Sequence, residues 1–131
     1  IFLAKHKNTG FLVAIKKIAK MNVRMQRSES RIINELRIHS SLNHENIIGF
    51  YGHFHDVDYL YFVLELASEG NLQSLVKEHF KGGAVPENSV QEILCQISHG
   101  LKYLHDNSLV HRDLKPENIL LSLVRRIATL S

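Results

Sequence analysis

The sequence predicts an α+β fold: an antiparallel sheet with one helix in the first half, then a mostly helical second part. Three observations predict it. Runs rich in β-branched and aromatic residues fall at 11–18, 46–52 and 59–66, all in the first half. A stretch between the first two, about 26–42, carries apolar residues at helical spacing. In the second half Val90, Ile93, Leu94, Ile97, Leu101 and Leu104 form one apolar stripe, the mark of a helix of about five turns over 87–107.

Taken in order, Ile1 to Ala4 reads as the end of a strand. Asn8-Thr9-Gly10 signals a turn, and Phe11 to Ile18 reads as the partner strand of a hairpin. The helix near 26–42 places Ile32, Ile33, Leu36 and Leu42 on its pattern. Asn46 to Gly52 and Tyr59 to Leu66 read as two strands, with His53 to Asp58 as a polar connection. The second of these is almost wholly apolar, so it is expected to be well buried. Turn-rich Ala67-Ser68-Glu69-Gly70-Asn71 leads to a short helix near Leu72 to Glu78, which Gly82-Gly83 terminates. Pro86-Glu87-Asn88-Ser89 opens the long helix, with proline near the start and an acid in the first turn. That helix ends near Asp106-Asn107. Leu109-Val110 and Ile119 to Leu121 read as short strands.

With 131 residues and 44% hydrophobic content, the chain has the length and the apolar mass of one ordinary domain. No apolar run reaches the roughly 18 to 20 residues of a membrane span, so no membrane partner is expected. A formal charge of +3, with both signs interspersed, gives no nucleic-acid footprint. The single cysteine, Cys95, excludes an internal disulfide and fits a reducing, intracellular compartment, cytoplasm or nucleus. Its place in the helical pattern reads as a small core residue. Nine histidines raise a metal site, but the closest group, His53-Phe54-His55, lacks a Cys or carboxylate set at ligand spacing and reads as a turn. The start at Ile1, with neither an initiating Met nor a signal segment, reads as internal. No internal repeat is visible, and no pattern sets an oligomeric state.

The stretch His111-Arg112-Asp113-Leu114-Lys115-Pro116-Glu117-Asn118, followed by Ile119-Leu120-Leu121, resembles the catalytic loop H-R-D-L-x-x-x-N of the eukaryotic protein-kinase family. A plain polar loop between a helix and a strand is the alternative, and eight consecutive matching residues argue against it. Val13-Ala14-Ile15-Lys16 matches the family's V-A-I-K motif, and strand alternation puts Ala14 and Lys16 on one face. Alone the tetrapeptide is weak, since a lysine snorkelling from a strand end explains it equally. Beside the loop it is strong. Glu35, nineteen residues after Lys16, is the candidate partner of that lysine. Glu29 is the rival, but it lies in the first helical turn, where the helix dipole accounts for a carboxylate. The resemblance covers residues 1 to about 121. Lys115 resembles the serine/threonine branch, and the stretch from Glu35 to Glu65 is most similar to Aurora and polo-like kinases.

This resemblance implies a protein-kinase-like fold: a small lobe over 1–66, a hinge over 67–71 and the first helical part of the large lobe over 72–131, hence an incomplete domain. It implies ATP-dependent phosphoryl transfer, with Mg2+, to a Ser or Thr of a protein substrate. Asp113 would accept or orient the proton of the attacking hydroxyl. Asn118 would hold a magnesium ion, and Lys115 would set positive charge beside the migrating group. Lys16 and Glu35 would clamp the phosphates. Around the base, Ile1 would be the roof, Ala14 a wall, Leu120 the floor and Leu64 the gatekeeper. Glu65 and Ala67 would offer backbone hydrogen bonds to adenine, and Glu117 would face the ribose. His39 falls where the family has an apolar spine residue, and is expected to loosen packing there. A glycine-rich loop would precede Ile1 and D-F-G would fall near Ser131. Neither is in the sequence, and 122–129 does not resemble the turn and strand that lead to D-F-G. The chain alone is therefore expected to be inactive, and a catalytically silent nucleotide-binding or interaction module is the alternative function. Arg126, three residues before Thr129, also resembles a basophilic phosphorylation site.

Overall fold

The computed structural model describes residues 1–21, 36, 38–80, 84–122 and 127–130, with backbone alone for His79 and 127–130. The chain divides into two compact units, residues 1–43 with 49–66, and residues 44–48 with 67–131.

In the first unit, β1 (Phe2–Lys5), β2 (Leu12–Ala19), β3 (Phe50–His55) and β4 (Tyr59–Leu64) form one antiparallel sheet in the order β1-β2-β4-β3. The β1–β2 turn closes on backbone bonds from His6 N to Phe11 O (2.8 Å) and Gly10 N to His6 O (2.9 Å). Gly10 takes φ +72° there, a conformation glycine adopts at no steric cost. Pairing of Ala14 with Leu64 and of Lys16 with Phe62 puts these four side chains on one face. Phe50 and His53 complete that face: the Phe50 ring lies 6.2 Å from Phe62 and 6.4 Å from His53. The opposite face carries Val13, Ile15, Lys17, Tyr59 and Tyr61. There the Lys17 ammonium sits 3.5 Å from the centre of the Tyr59 ring, a cation–π contact. Most of the helix expected at 26–42, with Ile32, Ile33, Glu29 and Glu35, lies outside the described residues, as does Gly82-Gly83. Leu36 and residues 38–41 are helical, and Leu36 is buried.

The third strand corrects the sequence reading. It runs Phe50–His55 rather than from Asn46, and it takes in His53-Phe54-His55, which are not a turn. Two causes act. Asn46, Ile47 and Ile48 are drawn into the core of the second unit, where they are 1%, 6% and 3% exposed. Further on, Asp56 builds a tight turn by itself. Its Oδ1 accepts the N–H groups of Asp58 (2.9 Å) and Tyr59 (2.7 Å), and its Oδ2 accepts the Tyr61 hydroxyl (2.8 Å). The reversal therefore needs only residues 56–58.

The second unit contains α1 (Leu72–Phe80), α2 (Glu87–Asp106), a 3-10 turn (Pro116–Asn118) and a hairpin of β5 (Ile119–Ser122) with β6 (Ile127–Leu130). Ile47, Ile48, Ile97, Leu104 and Ile119 are its buried apolar residues. The His44 ring stacks on Tyr103 at 4.7 Å and ties the 44–48 segment to α2. Cys95 is exposed, against the core expectation. It stands two positions before buried Ile97, about 200° around the helix, and so shares the outer face with Glu92, His99 and Lys102. Leu109-Val110 is not a strand, and Val110 is 66% exposed. β6 is a strand where the sequence pattern suggested none. Segment 69–71 meets β5 as well, through Glu69 N to Leu121 O (3.0 Å), Leu121 N to Gly70 O (2.8 Å) and a bridge between Asn71 and Leu120. No helix among the described residues is long and apolar enough to cross a membrane.

The end of α2 explains why the chain turns into a loop at 108. Leu109 N bonds to Leu104 O and Ser108 N to His105 O, both at 2.9 Å, with Ser108 at φ 59°. This is the Schellman pattern, in which the left-handed position is usually glycine. Ser108 bears a steric cost of about 1 to 2 kcal/mol there. Ser108→Gly should therefore raise the midpoint of thermal unfolding by a few degrees, and Ser108→Ala, which keeps the Cβ, should not. A melt of the three proteins decides it.

Candidate active site

The loop after α2 is held by bonds among its own residues. The Asp113 N–H donates to His111 Nδ1 at 3.3 Å. Arg112 between them takes φ 64°, in the left-handed region. The Asn118 amide donates twice through Nδ2, to the Asp113 carbonyl and to Asp113 Oδ2, each at 2.8 Å. Lys115 Nζ lies 2.8 Å from the same Oδ2. The 3-10 turn Pro116–Asn118, with Asn118 N bonded to Lys115 O at 2.9 Å, brings Asn118 back over Lys115. A proline at the first position of that turn has its φ set for it and no N–H to lose.

One carboxylate oxygen thus receives an ammonium and an amide. The Lys115 contact, then the Asn118 bond, hold the Asp113 carboxyl below the usual aspartate range. The same contact raises the Lys115 ammonium above its ordinary value. Both side chains are about half exposed or more, so the pair orders geometry rather than adding much stability. Asp113 Oδ1 receives no hydrogen bond among the described residues.

A divalent cation needs hard oxygen ligands. Because both partners of Asn118 Nδ2 are acceptors, the amide orientation is fixed chemically, and Oδ1 is the atom that suits a cation. Among the described residues no group of three His, Cys, Asp or Glu side chains could enclose a metal. An amide oxygen is a hard donor of the kind a Mg2+ would take, so Asn118 is the residue here that fits such an ion.

In the second unit Leu120 is half-buried and bridged to Asn71, and Ala67 is half-buried. The Glu117 carboxylate accepts a hydrogen bond from Gln73 Nε2 at 2.9 Å. Nothing local in the sequence signals Gln73, which lies 44 residues from Glu117. In the first unit Ala14 pairs with Leu64, both half-buried, and exposed Lys16 follows on the same face. Lys17, the lysine beside it, belongs to the opposite face with Tyr59. Ile1 and Leu3 fall on Ala14's side through the pairing of Leu3 with Ala14, and Ile1 is 84% exposed. Glu65 and Gly49 bond reciprocally: Glu65 N donates to Gly49 O (2.8 Å), and Gly49 N donates to Glu65 Oε2 (3.0 Å). His39 places its ring 5.6 Å from Phe50 and packs as an aromatic. Glu35 and the side chains of Arg126 and Thr129 lie outside the described residues.

Comparison with known proteins agrees with the family resemblance. The protein kinase domain family matches residues 1–128. Aurora kinase of Schizosaccharomyces pombe is 38% identical over 123 residues, covering 94% of this chain and 34% of that protein. Aurora kinase of Encephalitozoon cuniculi is 36% identical over 121 residues, 92% of this chain and 44% of that protein. The serine/threonine-protein kinase PLK4 of Nematostella vectensis is 40% identical over 114 residues, 87% of this chain and 12% of that protein. The chain thus spans less than half the length of each of these relatives. A family match over nearly the whole sequence, on a four-stranded antiparallel sheet followed by helices and the Asp113–Lys115–Asn118 loop, places the chain in the protein kinase family, on its serine/threonine side.

Proposed function

We propose that this chain carries the phosphoryl-transfer centre of a serine/threonine protein kinase, moving the γ-phosphoryl group of ATP to a Ser or Thr hydroxyl of a protein. The observation that carries the reading is the convergence of Lys115 and Asn118 on Oδ2 of Asp113. With Oδ2 so engaged, Oδ1 is the oxygen that would accept the hydroxyl proton. A carboxylate held at low pKa is a weak base at neutral pH. It suits orienting the hydroxyl and taking its proton as the new O–P bond forms and the bond to the ADP oxygen breaks. Lys115 has three N–H donors; one engages Asp113, which leaves others for the phosphoryl oxygens, where negative charge is spread. Asn118 Oδ1 would be the chain's ligand to Mg2+. That ion, when bound, neutralises charge on the phosphates.

On the nucleotide side, Lys16 would hold the phosphates, and Glu35 is assigned as its partner by resemblance. Ala14, Leu64, Ile1 and Leu120 would contact the base, the backbone of Glu65 and Ala67 would bond to it, and Glu117 would face the ribose. The support in the first unit is that Ala14, Lys16 and Leu64 share one sheet face.

The assay is phosphate incorporation into a generic Ser/Thr substrate with Mg-ATP, using the protein made from its natural full transcript. Asp113→Asn should lower kcat by about 10²- to 10⁴-fold. Lys16→Met should abolish transfer with an unchanged melting temperature; unfolding with unchanged residual activity would mean that its role is misassigned. Absence of turnover in the unmutated protein would select the silent nucleotide-binding or interaction module instead.

A second prediction follows from the charges. In metal-free solution the Asp113 carboxyl should titrate below the ordinary value of about 3.9, and Lys115→Met should move it upward, as read by carboxyl NMR. Linkage gives the sign. The depressed Asp113 stabilises the fold above its unfolded pKa, and that stabilisation is lost as pH falls through the folded one. The raised Lys115 stabilises below its unfolded pKa, and loses this as pH rises through the folded one. The pair therefore helps between about pH 4 and 10.

A further inference from the structure

Gln73 is the second residue of α1, whose start is fixed by Asn71: Ser74 N donates to Asn71 Oδ1 at 2.8 Å. Asn71 is in turn bridged to Leu120 in β5, immediately after the 3-10 turn. These bonds set the first turn of α1 against the catalytic loop. Across that contact Gln73 Nε2 holds Glu117 Oε1 at 2.9 Å, with both groups partly buried.

Glu117 is two residues from Lys115, whose carbonyl closes the 3-10 turn that contains Glu117. Lys115, on a flexible four-carbon stem, thus has a carboxylate two residues away on each side along the chain, Asp113 and Glu117. It pairs with Asp113 at 2.8 Å. The other charged groups nearby do not replace it. Arg112 and His111 precede Asp113 in the loop. Exposed Lys77 and Glu78 on α1 form no ion pair among the described residues.

We propose that Gln73 is a positioning residue of the catalytic loop: it keeps the Glu117 carboxylate against α1 and so leaves Lys115 to Asp113. The inference rests on the roles given to Lys115 and Asp113 above. The amide suits the task because its N–H donor binds the carboxylate. A lysine in its place would also hold Glu117, whereas an apolar residue of similar length would release it toward Lys115.

The test compares Gln73→Met and Gln73→Lys in the protein made from its natural full transcript. A crystal structure of Gln73→Met should show the Glu117 carboxylate within ion-pair reach of Lys115 Nζ. Its kcat should fall about two- to fivefold, the size a partly exposed ion pair can supply, with the KM for the protein substrate unchanged. Gln73→Lys should restore kcat. If Gln73→Met leaves Glu117 on α1 and Lys115 on Asp113, or if Gln73→Lys loses as much rate as Gln73→Met, the proposal is overturned. Should the unmutated protein show no turnover, the phosphoryl-transfer reading falls, while the positions of Glu117 and Lys115 in the Gln73→Met structure still decide the role of Gln73.

Discussion

The loop from 111 to 118 depends on one carboxyl group. Asp113 receives Lys115 and the Asn118 amide on its side chain, a second bond from that amide on its carbonyl, and anchors its own N–H on His111. None of these groups is deeply buried, so each bond contributes little to stability. Their value is geometric: they fix where one oxygen pair points, and phosphoryl transfer relies on positioning and charge more than on covalent chemistry.

The surroundings explain how an exposed loop keeps that geometry. At its entrance, the Schellman bonds at 104–109 stop α2 at a defined residue. At its exit, β5 is paired on one side by β6 and meets the 69–71 segment on the other. Ile119, the first residue after the 3-10 turn, is 6% exposed and anchors the loop in the core of the second unit. The apolar stripe of α2 serves the same end in part. Ile97 and Leu104 are buried, while Leu94, on the same stripe by spacing, is 56% exposed.

What was legible in the sequence follows from the range of the forces involved. The centre of the loop is a local object: the bonds that join Asp113 to His111, Lys115 and Asn118 span at most five residues, so the residue types at 111–118 encode them. The sheet was legible because strand alternation is also local, and Ala14 and Lys16 fall on one face as the V-A-I-K reading required; Leu64 joins them through its pairing with Ala14. Asn46 to Ile48 was misread because a short β-branched run looks the same in a strand and in a tertiary core. His53 to His55 was misread because polar character suggested a turn, when Asp56 alone supplies the turn chemistry. Cys95 departs from the core expectation because its angle, about 200° from buried Ile97, sets it off the stripe although it lies beside it in sequence. Gln73 was invisible because its bond to Glu117 joins residues 44 apart, and no local pattern encodes it.

The backbone at Arg112 shows how local bonds substitute for burial. A non-glycine residue at φ 64° costs on the order of 1 to 3 kcal/mol and persists only where its neighbours leave no alternative. Here they leave little. Asp113 N is drawn back to His111 Nδ1, while Asp113 O is drawn forward to Asn118 Nδ2. The peptides on either side of Asp113 are thus oriented by bonds that do not involve the Arg112 side chain, and the reversal at 112 joins the first of them to His111. The strain lies one residue before the group it serves, and it turns the Asp113 carboxylate toward Lys115 and Asn118 without needing a packed wall behind it. That leaves the outer side of the carboxylate exposed to solvent. A buried aspartate would be held more firmly but would have its pKa raised by desolvation. An exposed one held by an ammonium and an amide stays ionised and open to solvent.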